Sequence, residues 1–258
     1  MVSVQTRDIW FRYSGHSEFI LKSVSWGVSN SQSIGVLGTN GSGKSTFLRL
    51  LAGIITSERG SVLINGKKVV GVETTRGLVS FVPENAKLFL VGPTGFRDLL
   101  RIDPDPDKVN RLINKYKLTD IINSKLYALS EGQRRLLALF AAFQLPCQIL
   151  LFDEPTIGLD TSGRQLFTQL VGDATQAGKI VFIATNDSRL FSHVDKIIVL
   201  EGGGIKLNGM TRDILYRLEG ESNLVPSQLV RTVKRLQSLY PNFPSVLHIE
   251  ELNSVLSR

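Results

Sequence analysis

The chain has little of several things, and each shortage excludes a class of protein. It carries one cysteine, Cys147, in 258 residues, so an internal disulfide is impossible and the composition suits a reducing cytosol. Cys147 stands beside Pro146 in an apolar stretch, the setting of buried filler rather than of a reactive thiol. The longest unbroken apolar run, Leu136 to Phe143, falls far short of the ~20 residues a helix needs to cross a bilayer. The opening Met1-Val2-Ser3-Val4-Gln5-Thr6-Arg7 has no basic-then-apolar leader, so secretion is not expected. There is no long basic block and no recognition-helix or RNA-binding motif. The net charge of +7 therefore reads as a dispersed, solvated surface, and nucleic acid is not an expected partner. No internal repeat or low-complexity tract stands out.

What is present begins with Gly38-Thr39-Asn40-Gly41-Ser42-Gly43-Lys44-Ser45-Thr46, which has the Walker A form G-x-x-x-x-G-K-[ST]. The apolar run Ile34–Leu37 before it reads as a buried strand, and Phe47–Ala52 after it as the start of a helix. Glycines let such a loop turn tightly, so that its N–H groups converge on a phosphate as an anion nest. The helix N-terminus adds a partial positive charge. At average residue usage these fixed positions would coincide by chance in about one chain of this length in a hundred. Gly38, Asn40, Gly41, Ser42, Gly43, Lys44, Ser45 and Thr46 are the expected nucleotide contacts. Lys44 would reach the β- and γ-phosphates, and the Ser45 hydroxyl would ligate Mg²⁺.

The surrounding pattern predicts an α/β fold. Residues 4–13 and 20–28 alternate like an antiparallel ribbon. Ser61–Gly66 is a strand ending in an Asn-Gly turn that Lys67–Val70 leaves as a hairpin. Val79–Val82, Gln148–Asp153 and Ile180–Thr185 read as further strands. Residues 95–145, broken at Asp103–Pro106, and about 161–176 read as helical. Such βαβ alternation implies a parallel sheet covered by helices. A polar junction near 219–225 precedes two short amphipathic helices, about 226–239 and 248–257, separated by Pro241–Pro244.

Two more segments carry chemistry. Ile149-Leu150-Leu151-Phe152-Asp153-Glu154-Pro155 is an apolar strand ending in paired carboxylates, the Walker B arrangement. Asp153 would hold Mg²⁺ and Glu154 would act as general base towards the attacking water. Taken alone, two acids there would read as ordinary complements to a helix dipole. In Leu129-Ser130-Glu131-Gly132-Gln133, Ser130 and Gln133 form an S-x-x-Q capping box, and the same exposed helix N-terminus is equally a phosphate-binding end.

With these parts in this order, the chain resembles the ATP-binding subunits of ABC transporters over about residues 2–218. Walker A is Gly38–Ser45, the signature is Leu129–Gln133, Walker B is Leu150–Glu154 and the D-loop is Gly158-Leu159-Asp160. The resemblance implies a P-loop NTPase with a RecA-like core, an antiparallel β subdomain, a helical signature subdomain and a short C-terminal helical extension. The domain reading is 1–218 for the ATP-binding domain and 219–258 for the extension. Tyr13 occupies the place of the aromatic that stacks on adenine, though it could instead be a strand aromatic packed on the core. The implied mechanism sandwiches two ATPs with Mg²⁺ between two such subunits. Ser130 and Gly132 would then serve the nucleotide of the other subunit, and Gln133 and Asp160 count among the expected nucleotide-binding residues. The free energy would move a transmembrane partner, with this chain peripheral on the cytoplasmic face of the membrane.

Three positions depart from the family pattern. Glu84 stands where a glutamine is usual, Asn186 replaces the switch histidine, and Glu131 replaces a signature glycine. Glu84 can still offer a hard oxygen to Mg²⁺. Asn186 can donate to a γ-phosphate but cannot carry a proton. Losing one such contact typically costs ~10²–10³ in rate, so real but slow hydrolysis is expected, with Glu154, Glu84 and Asn186 as the catalytic set. The tail, Leu224-Val225-Pro226-Ser227, the basic stretch Val233–Leu236 and Leu247–Leu252, looks like that of energy-coupling-factor, cobalt-type ATPases. That implies an importer of a metal ion or vitamin, working as a homodimer or a heterodimer. The tail could also be a helical hairpin that merely covers the core. The alternatives are the ATPase of an ABC-2-type exporter and a largely non-hydrolysing regulatory ABC subunit.

Overall fold

The computed structural model describes residues 2–85, 89–187, 189–222, 224 and 226–257. Asn223 of the polar junction and Val225 of the tail pattern lie outside the described residues.

Two sheets meet over one helix. The larger has six strands: β3 (Ser33–Leu37), β6 (Val79–Val82), β7 (Ile149–Asp153), β8 (Ile180–Thr185), β9 (Lys196–Glu201) and β10 (Gly204–Met210). Their order is β10-β9-β3-β8-β7-β6, parallel throughout except for the antiparallel edge strand β10. Every residue of β3, β7 and β8 is buried, which is why these segments read as continuous apolar runs and not as alternating ones. The smaller sheet is antiparallel, in the order β2-β1-β4-β5, from β1 (Ser3–Phe11), β2 (Leu21–Ser29), β4 (Arg59–Ile64) and β5 (Lys67–Lys68). The Asn65-Gly66 turn between β4 and β5 has φ of 51° and 77°, the left-handed pair that a tight hairpin needs.

Helix α1 (Lys44–Leu51) lies between the sheets. Its Phe47, Leu48, Leu50 and Leu51 share one core with Val4, Ile9 and Leu21 of the small sheet and with Ile34, Val36 and Phe182 of the large one. The opposite face of the large sheet is covered by α6 (Glu131–Gln144) and α7 (Thr161–Gln176). There Phe143 stacks on Phe152 at 4.7 Å, and Phe167 meets Phe152 edge-on at 5.4 Å. Each buried aromatic of this kind stabilises by about 1.5–3 kcal/mol.

The stretch expected to be helical from 95 to 145 is four helices. These are α3 (Gly95–Ile102), α4 (Pro106–Lys115), α5 (Thr119–Ile122) and α6, after the short α2 (Val72–Thr75). Local capping explains the division. The Thr94 side chain accepts the Arg97 N–H, and Asp105 accepts from Asp107 and Lys108 with Pro106 at the first helical position. Residues 186–218, where the sequence predicts no element, hold β9, β10 and the greater part of α8 (Thr211–Glu221). The boundary read between 218 and 219 falls inside α8. The tail helices are α9 (Gln228–Leu239) and α10 (Ile249–Leu256), close to their expected spans. Val230 joins the main core, the Tyr216 hydroxyl donates to the Val246 carbonyl at 2.8 Å, and Arg212 pairs with Glu251 at 3.0 Å.

Candidate functional site

The P-loop follows β3 at the carboxyl edge of the parallel sheet, where open α/β folds bind ligands. Its shape depends on glycine. A Cβ on Gly38 would stand 2.2 Å from Ser42 Oγ and 2.7 Å from the Leu200 carbonyl. Gly41 and Gly43 have φ of 80° and 100°. The loop borders a cleft of about 460 Å³, lined among others by Asn40, Gly41, Gly43, Lys44, Ser45, Thr46, Glu84, Glu154 and Asn186. Nine of the positions singled out from sequence thus converge there, while Gly38 and Ser42 are not among its lining residues.

Lys44 is buried, only 6 % exposed. Its ammonium donates to the Gly38 carbonyl at 2.8 Å and the Thr39 carbonyl at 3.3 Å, and lies 3.8 Å from Glu154 Oε1. Burial pushes its pKa down, opposed by the charges of Glu154 and Asp153. Ser45 Oγ donates to Asp153 Oδ1 at 2.9 Å. Burial pushes the Asp153 carboxyl up, opposed by that hydrogen bond and by Arg49. Ser42 Oγ is buried with no hydrogen-bond partner.

These features fit a polyphosphate. A buried hydroxyl without a partner and a buried ammonium on backbone carbonyls are donors held ready for anionic oxygens. The Ser45–Asp153 pair supplies two hard oxygens, the donor type Mg²⁺ takes alongside phosphates.

Asn186 Nδ2 donates to Asn40 Oδ1 at 3.3 Å, which ties the switch position to the P-loop. Glu84 also lines an adjoining cleft of about 550 Å³ with Arg49, Glu131, Arg135 and Asp153. Tyr13 does not line the nucleotide cleft. Its hydroxyl accepts from Arg49 at 3.0 Å and lies 3.4 Å from Thr46 Oγ1, with its ring edge-on to Phe11 at 4.9 Å. In this arrangement Tyr13 braces α1.

The signature residues lie elsewhere. The capping box is formed, with Ser130 Oγ accepting the Gln133 N–H at 3.2 Å and Gln133 Oε1 accepting the Ser130 N–H at 2.9 Å. A Cβ on Gly132 would meet the Gly158 carbonyl at 2.7 Å. Asp160 caps α7, accepting from the Gly163 N–H and the Ser162 hydroxyl at 2.7 and 2.8 Å, and these bonds lower its pKa. Ser130, Gly132, Gln133 and Asp160 border a third cleft of about 920 Å³ that shares no lining residue with the nucleotide cleft. Of the signature, Glu131 reaches a cleft that Ser45 also lines, whereas Ser130, Gly132 and Gln133 do not share a cleft with the P-loop of their own chain.

Sequence reasoning passed over Ile20 and Ile157, which line the nucleotide cleft, and Arg49 and Arg135, which line the adjoining one. The two isoleucines carry no sequence signal for this place. Arg135 carries a faint one, a cation entering the otherwise apolar run of α6.

The sequence pattern of the ABC transporter family matches residues 21–157, more than half of the chain. The chain belongs to that family. This ABC protein is similar to an energy-coupling factor transporter ATP-binding protein of Acetivibrio thermocellus. The two are 27 % identical over 269 residues, covering 97 % of this chain and 95 % of the relative. A second such protein, from Methanocaldococcus jannaschii, is 28 % identical over 235 residues, 85 % of this chain and 83 % of its own length. A dimeric ATP-binding cassette solved in a post-hydrolysis state with ADP and Pi superposes with a TM-score of 0.70. It is 23 % identical and covers 81 % of this chain and 99 % of that one, a likeness of fold. The protein is an ABC-type ATPase that binds ATP, the nucleotide-binding subunit of a transporter. Among the described residues no helix is long and apolar enough to cross a membrane. The solved cassette has been described as a dimer in two structures.

Proposed function

We propose that this chain is the ATPase subunit of an energy-coupling-factor-type importer, one of a pair seated on the cytoplasmic face of a membrane under a transmembrane partner. A metal ion or a vitamin is the cargo class, and hydrolysis is slow. The observation that carries this reading is the similarity to an energy-coupling factor subunit across 97 % of the chain. The tail is fastened to α8 by Tyr216 and Arg212, which supports its being an integral part of the subunit.

In this reading Lys44 and the P-loop N–H groups hold the β- and γ-phosphates, and the Ser42 hydroxyl gains the partner it lacks. Ser45 and Asp153 hold Mg²⁺, which neutralises charge developing on the phosphates. Glu154 accepts the proton of the attacking water. Because Ser130, Gly132, Gln133 and Asp160 line a separate cleft, they serve the nucleotide of a second subunit. Asn186, held by Asn40, can donate a hydrogen bond but moves no proton, and Glu84 adds a negative charge beside the phosphates. Both slow the reaction. The same two residues favour a second reading, a regulatory subunit that binds ATP and scarcely turns it over.

The test is capture from membranes with the tagged Glu154→Gln chain in mild detergent, ATP and Mg²⁺. A multi-spanning protein together with an ABC ATPase is the expected catch; a purely soluble catch overturns the importer reading. In the captured wild-type complex, Glu84→Gln with Asn186→His should raise turnover by about 10²-fold. A rate already equal to that of the double variant removes the claim of slow hydrolysis, and no turnover in either favours the regulatory subunit.

A further inference from the structure

Arg135 is a guanidinium 8 % exposed, set little more than one turn into α6. Its Nε donates to the Pro155 carbonyl at 3.0 Å and its Nη2 to the Glu154 carbonyl at 2.5 Å. Two arms of one planar fork thus grip consecutive main-chain oxygens, a geometry that lysine cannot reproduce. Glu154 itself has φ of 46°, in the left-handed region that a side-chain-bearing residue enters only when its surroundings hold it there. Its N–H donates to the Ala184 carbonyl of β8 at 2.8 Å, so β8 fixes the residue from one side and Arg135 from the other. The carboxylate so presented stands 3.8 Å from Lys44. Arg135 also lines the cleft it shares with Glu84, Glu131 and Asp153, a concentration of acids that wants a cation. Burial pushes its pKa down, while Glu84, Glu131 and Glu154 favour the charged form.

We propose that Arg135 is a positioning residue for ATP hydrolysis. Its fork locks the left-handed Glu154–Pro155 turn that aims the Glu154 carboxylate, and its charge offsets Glu84. The inference rests on the reading of Glu154 as the base. It also gives Glu84 a counter-charge in its own chain, so this carboxylate is less hostile to a triphosphate than its sequence position implies. Because α6 starts at the Ser130 capping box, any displacement of the signature end of the helix reaches Glu154 through a single side chain.

The experiment compares wild type, Arg135→Met, Arg135→Lys, Glu84→Gln, Arg135→Met with Glu84→Gln, and Glu154→Gln. Each is assayed in the captured complex for kcat, affinity for a fluorescent ATP analogue and melting temperature. Displacing a reacting group by about 1 Å costs ~10²-fold in rate, so Arg135→Met should lower kcat by about that much with analogue affinity held within about twofold. Arg135→Lys, which keeps the charge and loses the fork, should fall about tenfold. The methionine substitution should cost less in the Glu84→Gln background, where there is less charge to offset. A methionine or lysine variant at the wild-type rate overturns the proposal. So does a loss of affinity and melting temperature that matches the loss of kcat in both variants, since that marks a purely structural side chain. If Arg135→Met does not fold, Arg135→Lys carries the test alone. Glu154→Gln at the wild-type rate sinks the base assignment, whereas an inactive Glu154→Gln beside a fully active Arg135→Met sinks only the role of Arg135.

Discussion

At the P-loop, Ser42 Oγ is buried with no partner and Lys44 is held by two backbone carbonyls beside a carboxylate 3.8 Å away. At the signature face the polar groups are already committed within the chain: Ser130 and Gln133 to one another, and Asp160 to Gly163 and Ser162. The first surface keeps hydrogen-bonding capacity in reserve at a cost to stability. The second uses its capacity to start two helices. Substitution should therefore separate function from stability at the P-loop and entangle them at the signature.

The largest effect that would break this contrast is at Lys44. Lys44→Met keeps the aliphatic stem and removes a charge that burial disfavours. Nucleotide titration and turnover should fall by at least about 10²–10³-fold, the scale for a preorganised electrostatic contact. The melting temperature should change little, because relief of the desolvated charge is set against a Glu154 carboxylate and two carbonyls left without their partner. A melting temperature that drops as it would for a truncated core residue would show that the lysine is structural and the contrast unfounded.

Next comes Gly132, where a Cβ would meet the Gly158 carbonyl at 2.7 Å. Backbone has to move to admit it, so Gly132→Ala should destabilise by about 1–3 kcal/mol and disturb the D-loop with the same stroke. Gly172, inside α7, has nothing within 4 Å of its would-be Cβ. Gly172→Ala should accordingly be neutral or stabilise by up to ~1 kcal/mol. Denaturant melts of the two variants give the difference; equal values would mean that the Gly132–Gly158 contact carries no weight.

The contrast also marks what could be read without coordinates. Walker A and Walker B were legible because their chemistry is local: a loop that cradles phosphate has to put glycine, lysine and serine within a few residues, and a strand end has to present its acids together. The Ser130 capping box was legible for the same reason. Arg135 was not, since its importance arises from two carbonyls some twenty positions away. The steric demand on Gly132 comes from Gly158, equally remote. Tyr13 reads from its sequence neighbours as an adenine platform or a packed strand aromatic; the structure packs it against the core and engages its hydroxyl with Arg49 of α1, a contact remote in sequence. The strands β9 and β10 went unassigned even though Ile197–Leu200 is a buried apolar run and Gly202-Gly203 a turn with φ of 60° and 86°.

The smallest effect concerns the junction between the switch segment and the tail. His193 follows Asn186 by seven residues, and its ring lies 4.7 Å from that of His248, which leads into α10. His193 is exposed overall, yet its surroundings desolvate it in part. That desolvation, with the charge of His248 acting in the same direction and Glu250 against it, lowers its pKa below the ordinary 6.5. With the tail detached, His193 loses the ring and charge of His248 and its pKa moves back towards 6.5, so as the pH falls through that range the detached form binds more protons than the docked one. Docking is therefore fully supported above pH 6.5 and weakens as the pH falls towards the lowered value. Hydrogen exchange of α10 should rise modestly between pH 7.5 and pH 5.5, after correction for intrinsic rates, while the P-loop helix stays protected. Replacing His248 with Phe keeps a ring on His193 and removes the like charge, so the pH dependence should flatten without disappearing, because desolvation remains. If α10 exchanges identically at both pH values, the histidine contact is incidental, and the tail is held by its other contacts, Arg212–Glu251, Tyr216–Val246 and the packing of Val230 among them.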